Sequence, residues 1–227
     1  VKAWIEQGAE APDEVLPPDP REHWSFRTPV RPPVPTVTRG EWIRNPIDAF
    51  IAAGHQRQGL APVEPAEKHV LLRRVYLDLI GLPPTAEELR RFLADDSKDA
   101  YERTVNDLLE RPEYGQRWGR HWMDVWRYSD WAGYKQEVRE CQRHIWPWGD
   151  WIIDSLNADK GYDRMVLEML AGDELAPGEP KVLAATGFLV RNRHASNRNI
   201  WLDAAVEHTA KAFLGLTINC ARCHDHK

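Results

Sequence analysis

Five residues near the end of the chain, Cys220-Ala221-Arg222-Cys223-His224, set two thiols and an imidazole at C-x-x-C-H spacing. Thiols separated by two residues share one turn of backbone and can reach the two vinyl groups along a porphyrin edge. The adjacent imidazole then ligates the iron from the proximal side. The expected cofactor is one covalent haem c, held through sulfur by Cys220 and Cys223 and through iron by His224. Three other readings compete. Zinc would take the two thiols with His224 or His226, but a structural zinc site needs a second ligand pair at defined spacing, and the sequence offers none. A thioredoxin-like dithiol follows a strand, whereas a helical pattern precedes this motif. The last is a fortuitous motif with two buried thiols.

Iron bound by His224 has a second axial position. A His or Met there makes an electron carrier, and an open position makes a site for small-molecule chemistry. The candidates are His121, His208, His194, His226 and Met123. His121 comes first, because it lies in RHWMDVWRYSD on a Trp-rich helix that would wall a haem from water. A hydrogen-bonded core histidine is the competing reading. In the same block Arg127 would pair a haem propionate bidentately, and Asp124 would orient a histidine N–H. For both, a helix-surface ion pair is the alternative. Of 11 Trp, seven fall between residues 118 and 151 (Trp118, Trp122, Trp126, Trp131, Trp146, Trp148 and Trp151). Such a cluster walls a cofactor or a sugar site, or forms an aromatic core. Cys141 reads as an ordinary buried cysteine.

The elements that must position these groups are helices. Residues 1–9 read as a helix tail with Val1, Trp4 and Ile5 on one face. Residues 11–39 are proline-dense, which favours extended polyproline II, and His23, Trp24 and Phe26 are expected to pin part of this linker to a surface. Asn45-Pro46 starts a short helix with Ile47, Phe50 and Ile51, stopping at Gly54 or Gly59. Helices follow over 66–80, from the Thr85–Glu88 capping box through Leu93, and over 100–109. A central helix is expected from Glu113 to about Trp131, apolar on two sides and therefore buried. Pro147 opens a helix through Leu156, and Asp163 to Leu170 gives one closed by Gly172. Residues 173–199 read as loop-rich, with a short apolar piece, LAATGFLV. The last helix spans about 200–216, with His208 on its inner face. Nothing alternates like a sustained strand, so the fold class is mainly α, a multi-helix haem-binding domain behind a Pro-rich N-terminal linker.

Composition narrows the classes. The chain has 227 residues, 42% hydrophobic and 29% charged, which suits a globular protein. A net charge of −5 leaves no basic footprint for nucleic acid. No apolar run is long enough for a transmembrane segment. Three cysteines, two of them inside one motif, do not make a disulfide framework.

Beyond the thiol motif, several stretches carry a family resemblance: NPIDAFI (45–51), LLRRVYLDLIGLPPTAEEL (71–89), AYERTVNDLLERPEYGQRWGRHWMDVWRYSD (100–130), YDRMVLEMLAGDEL (162–175), ATGFL (185–189) and AFLGLTINCARCHDHK (212–227). Together they resemble the planctomycete-type cytochrome C family, a large domain of unknown function. Asp173 and Arg191 fall in or beside these segments. One departure is EHTAKAF, where family members often carry a Thr-rich run. The opening WIEQGAE resembles the end of a small cytochrome c domain, and HWSFRTPVRPPVP the usual connector. The resemblance therefore implies residues 1–10 as the end of a preceding domain, 11–41 as linker, and 42–227 as a helical cytochrome-type domain continuing downstream. It also implies a periplasmic or otherwise exported protein, since haem c is attached outside the cytoplasm. The expected function is electron transfer within a larger oxidoreductase, with a redox partner protein or an adjacent cytochrome domain. Its rivals are a haem-iron enzyme with an open distal site, acting on a carbohydrate substrate, and a zinc-bound structural or carbohydrate-binding module.

Overall fold

A polar residue followed by proline at the first helical position recurs along this chain, at Asn45-Pro46, Arg111-Pro112 and Glu179-Pro180, and marks where three of its helices begin. The computed structural model describes residues 1–9, 19–38, 40–132, 140–141, 144–191, 193 and 197–223. His194, His224 and His226 lie outside the described residues, as does the side chain of Cys141. The described chain is mainly α, and it divides into two units, Val1–Glu64 and Pro65–Lys227.

In the first unit, α1 spans Lys2–Glu6 and α2 spans Pro46–Arg57. The Asn45 side chain accepts from the Asp48 N–H at 3.1 Å, and Pro46 follows at the first helical position, where its missing N–H goes unmissed. The helix runs through Gly54 and stops before Gly59, whose φ of +64° is left-handed. Its large apolar residues Ile47, Phe50 and Ile51 are exposed, and the buried residues are Ala49 and Ala52. Trp24 and Phe26, expected to pin the linker, are exposed as well.

The second unit holds α3 (Lys68–Leu79), α4 (Ala86–Ala94), α5 (Ala100–Leu109), α6 (Pro112–Trp126), α7 (Trp146–Asn157), α8 (Tyr162–Leu175), α9 (Pro180–Leu183), α10 (Gly187–Val190) and α11 (Arg198–Thr209). One core cluster joins α3 to α5 through Leu72, Tyr76, Phe92 and Leu108. Another joins α6, α7, α8 and α10 through Trp126, Trp148, Ile152, Met169 and Phe188. Apolar burial on this scale, at about 25 cal/mol per Å², is the main force holding the helices together. Three of the clustered tryptophans, Trp126, Trp148 and Trp151, are thus core residues, while Trp118 and Trp146 are exposed.

Several expectations need correction. The central helix ends at Trp126, not near Trp131, because Arg127 turns left-handed (φ +62°) and the Tyr128 N–H closes back on the Met123 carbonyl at 2.8 Å. A two-residue antiparallel ladder follows, Trp131–Ala132 (β1) against Glu140–Cys141 (β2). α8 continues past Leu170 across a kink at Ala171 (φ −147°). The stretch read as loop-rich contains α9, a 3-10 turn over Ala184–Thr186 and α10, because LAATGFLV supplies Ala185 and Phe188 to the core. The last helix also changes character: α11 passes at Ala210 into one π turn, Ala210–Leu214, ended by left-handed Gly215. A π turn re-aims the chain and is common at functional sites.

Candidate functional site

After Gly215 the chain leaves the helix and folds back on it. Residues Asn219–Arg222 form a 3-10 turn in which the Ala221 N–H donates to the Ile218 carbonyl at 3.0 Å and the Cys223 N–H to the Cys220 carbonyl at 3.1 Å. That turn puts Cys220 and Cys223 on one loop of backbone. Both are free thiols, and both are exposed. The reading of two buried thiols is therefore incorrect: their turn lies at the surface.

α11 anchors this turn by charge. Arg222 pairs with Asp203 at 2.7 Å. Glu207, one helical turn on, is held by Lys211 and by Asn219, and these contacts, Lys211 first, keep its carboxyl below the usual range. A cavity of about 350 Å³ lies between helix and turn, lined by Asp203, Val206, Glu207, Ile218, Asn219, Ala221 and Arg222. Beside it α11 presents an apolar stripe to solvent, with Leu202 44% and Val206 59% exposed. Asp203 and Glu207 were not singled out from sequence. Their spacing of four is the signal, since it places two carboxylates on one helix face above a motif containing arginine.

The next face of α11 carries His208, half-buried and in contact with Arg127 from the end of α6. Burial, and then the Arg127 charge, push the His208 pKa down and favour the neutral imidazole. Arg191 reaches the same place, its Nε donating to the Arg127 carbonyl at 3.0 Å, and burial followed by Arg127 pulls its pKa down too. The Trp201 indole donates to the Leu189 carbonyl at 3.1 Å and docks α11 on α10. The left-handed turn at Arg127 therefore does structural work: it ends α6 where a guanidinium meets α11.

Other residues singled out from sequence lie apart from this assembly. His121 is exposed on α6, its ring 5.5 Å from that of Trp118, and not walled off from water as expected. Among the described residues no hydrogen bond, ion pair or ring contact joins it to the thiol turn. Asp124 pairs with Arg120 along the surface of α6. Asp130 accepts from the Tyr128 hydroxyl at 2.8 Å, and burial with this contact pushes the Tyr128 phenol up to about 12. Met123 packs against the tryptophan core, and Asp173 is exposed on α8. No group of three or more His, Cys, Asp or Glu side chains converges among the described residues, and no helix among them is long and apolar enough to cross a membrane.

These features define a helical protein whose last helix presents an exposed dithiol turn. The chain belongs to the PSCyt2 family, described as a protein of unknown function (DUF1549), whose model matches residues 46–227. No curated protein and no solved structure matches the chain.

Proposed function

We propose that this protein is a c-type haem domain that transfers electrons within a larger exported oxidoreductase. The observation that carries the reading is the pair of free, exposed thiols on one backbone turn, with an imidazole next in sequence. The surroundings fit a porphyrin. Thioether formation needs accessible sulfur, and Cys220 and Cys223 have it. A porphyrin face needs apolar surface to cover, and Leu202 and Val206 present it on the helix that anchors the turn. Cys220 and Cys223 would hold the ring and His224 the iron. Bound there, haem supplies one-electron redox chemistry, and the protein's part is ligation, burial and charge.

Among the described residues, two histidines are candidates for the second axial position, beside His194 and His226, which lie outside them. His208 is half-buried on the helix that carries the thiol turn, where burial and the Arg127 charge favour the neutral imidazole, and His121 is exposed beside Trp118, which puts His208 first. Arg127, with Arg191 beside it, would stabilise a propionate carboxylate through charge-assisted hydrogen bonds. The resemblance to planctomycete-type cytochromes supports export and a redox partner, either a separate protein or an adjacent cytochrome domain.

The full chain, exported from a host with haem-attachment machinery, tests the reading by intact mass and by the visible spectrum of the reduced protein. The expected result is the added mass of one haem, resistant to acidified organic solvent and lost in the Cys220→Ser/Cys223→Ser variant. Colourless protein of unmodified mass, or stoichiometric zinc in its place, sinks it. Carbon monoxide separates carrier from catalyst: weak binding by the parent and strong binding by His208→Ala fit an electron carrier, and ready binding by the parent fits an open catalytic iron.

A further inference from the structure

A cavity of about 410 Å³ runs along α7 and shares no lining residue with the thiol turn or α11. Its size is that of a small-ligand pocket. One stripe of α7 makes its wall. Trp146, Asp150 and Asp154 recur at four-residue intervals, so an indole and two carboxylates lie one helical turn apart on the same face. Trp146 is 58% exposed. Among the described residues, neither carboxylate has a hydrogen bond or an ion pair.

Beside them Ser155 is 2% exposed, and its hydroxyl has no partner. A buried hydroxyl without a partner is destabilising, so its presence in the lining of a cleft calls for a partner from outside the chain. Buried Trp151 closes the wall, with the Lys160 ammonium 5.0 Å from its ring centre. Lys181 enters from α9.

The charges choose the ligand. An exposed indole is a platform for the C–H face of a sugar or for a cation. Two carboxylates alone would favour the cation, but Lys181 enters the same cleft, and Lys160 lines it while pairing with Glu168, which Arg164 also holds, so three cations stand against three carboxylates. What is left is a site of zero formal charge, with acceptors on Asp150 and Asp154, donors on Lys181, and a hydroxyl that serves as either. We propose that this cleft binds a neutral sugar, with one ring stacked on Trp146 and its hydroxyls bonded to Asp150, Asp154, Lys181 and Ser155. The inference is independent of the haem reading, because it concerns binding on another helix and involves no redox step. The sequence put Trp146 and Trp151 in a cluster able to wall a cofactor or a sugar site, but Asp150 and Asp154 were not singled out, and the burial of Ser155 depends on packing.

The test is saturation-transfer NMR and titration calorimetry on the full chain. The probes are glucose, xylose, mannose and galactose, their β-1,4-linked disaccharides, and spermidine as a cationic control. At least one sugar is expected to saturate, and a disaccharide binding tighter than its monosaccharide identifies a glycan chain rather than a free sugar as the source. Trp146→Ala and Asp154→Asn, both exposed positions, should each weaken binding by about tenfold or more, while Trp118→Ala on α6 changes it less than about twofold. Failure of every sugar to saturate, saturation untouched by Trp146→Ala, or binding of spermidine in place of sugars overturns the proposal.

Discussion

Ser155 poses a question of stability at the scale of one residue. Its hydroxyl is fully buried in α7 and unpaired, whereas Glu168, the other buried polar residue among the described ones, has three partners. An unsatisfied hydroxyl costs about 1–3 kcal/mol, and its removal leaves a void of a single oxygen atom. Ser155→Ala is therefore expected to stabilise the ligand-free protein by about 1 kcal/mol, or about 3 °C in Tm for a chain of this size. Differential scanning calorimetry reads this directly, and a lower Tm would show that the hydroxyl is already satisfied in the folded chain. Residues of this kind separate what sequence can and cannot disclose about a site. That Cys220 and Cys223 share one turn is legible, because a spacing of two residues is local. The anchoring of their turn by Asp203 and Glu207, the meeting of Arg127 with His208, and the burial of Ser155 all depend on which helices pack together. The burial expected for His121 failed for the same reason: it shares a helix with several tryptophans but sits on the helix's exposed side.

Among the elements, α6 and α7 approach each other closely. A Cβ built on Gly115 would lie 2.6 Å from the Ile153 carbonyl oxygen and 2.6 Å from the Asn157 side chain. Asn157 cannot swing aside freely, because it accepts from the Gly115 N–H at 2.7 Å and donates to the Pro112 carbonyl at 3.2 Å. Gly115→Ala must therefore push two helix backbones apart. Although alanine is the better helix former, the variant is expected to lose roughly 2 kcal/mol, seen as a lower urea midpoint at unchanged slope. A midpoint at or above that of the parent would mean that the helices separate without strain. Element boundaries were readable wherever a local device sets them. The Thr85–Glu88 capping box forms as its sequence implies, with Glu88 reaching the Thr85 N–H at 2.7 Å, and the Asn45-Pro46 start holds. Boundaries set by packing were not readable. Nothing local marks Arg127 as left-handed, and the proline and glycine of residues 173–180 hide two short helices that exist because Phe188 and Ala185 fill the tryptophan core.

At the scale of the molecule, the two core clusters are each clamped by a carboxylate held below its ordinary pKa. Glu88, near α3–α5, is desolvated, which alone would raise it, but hydrogen bonds from Thr85 and from Arg111 at 2.5 Å outweigh this and bring it down to about 2. Glu168, 3% exposed between α7 and α8, is likewise pushed up by burial and pulled down further by Lys160, Arg164 and the Trp151 indole. A carboxyl depressed in the folded state stabilises it above the unfolded pKa, and that stability is lost as pH falls towards the folded value. For Glu88 the window runs from its ordinary 4.5 down to about 2, and the contribution is roughly 2–3 kcal/mol at neutral pH. The urea midpoint, followed by far-UV circular dichroism, should stay flat from pH 7 to about 5 and then fall steeply. Glu88→Gln should lower the neutral-pH midpoint and flatten the acid limb. Because the two clamps share no partner, Glu88→Gln and Glu168→Gln should add within about 0.5 kcal/mol if the Pro65–Lys227 unit unfolds as one cooperative body. Two resolved transitions in the double variant, or an acid limb unchanged by Glu88→Gln, would show instead that the clusters melt separately or that other carboxylates drive the acid transition.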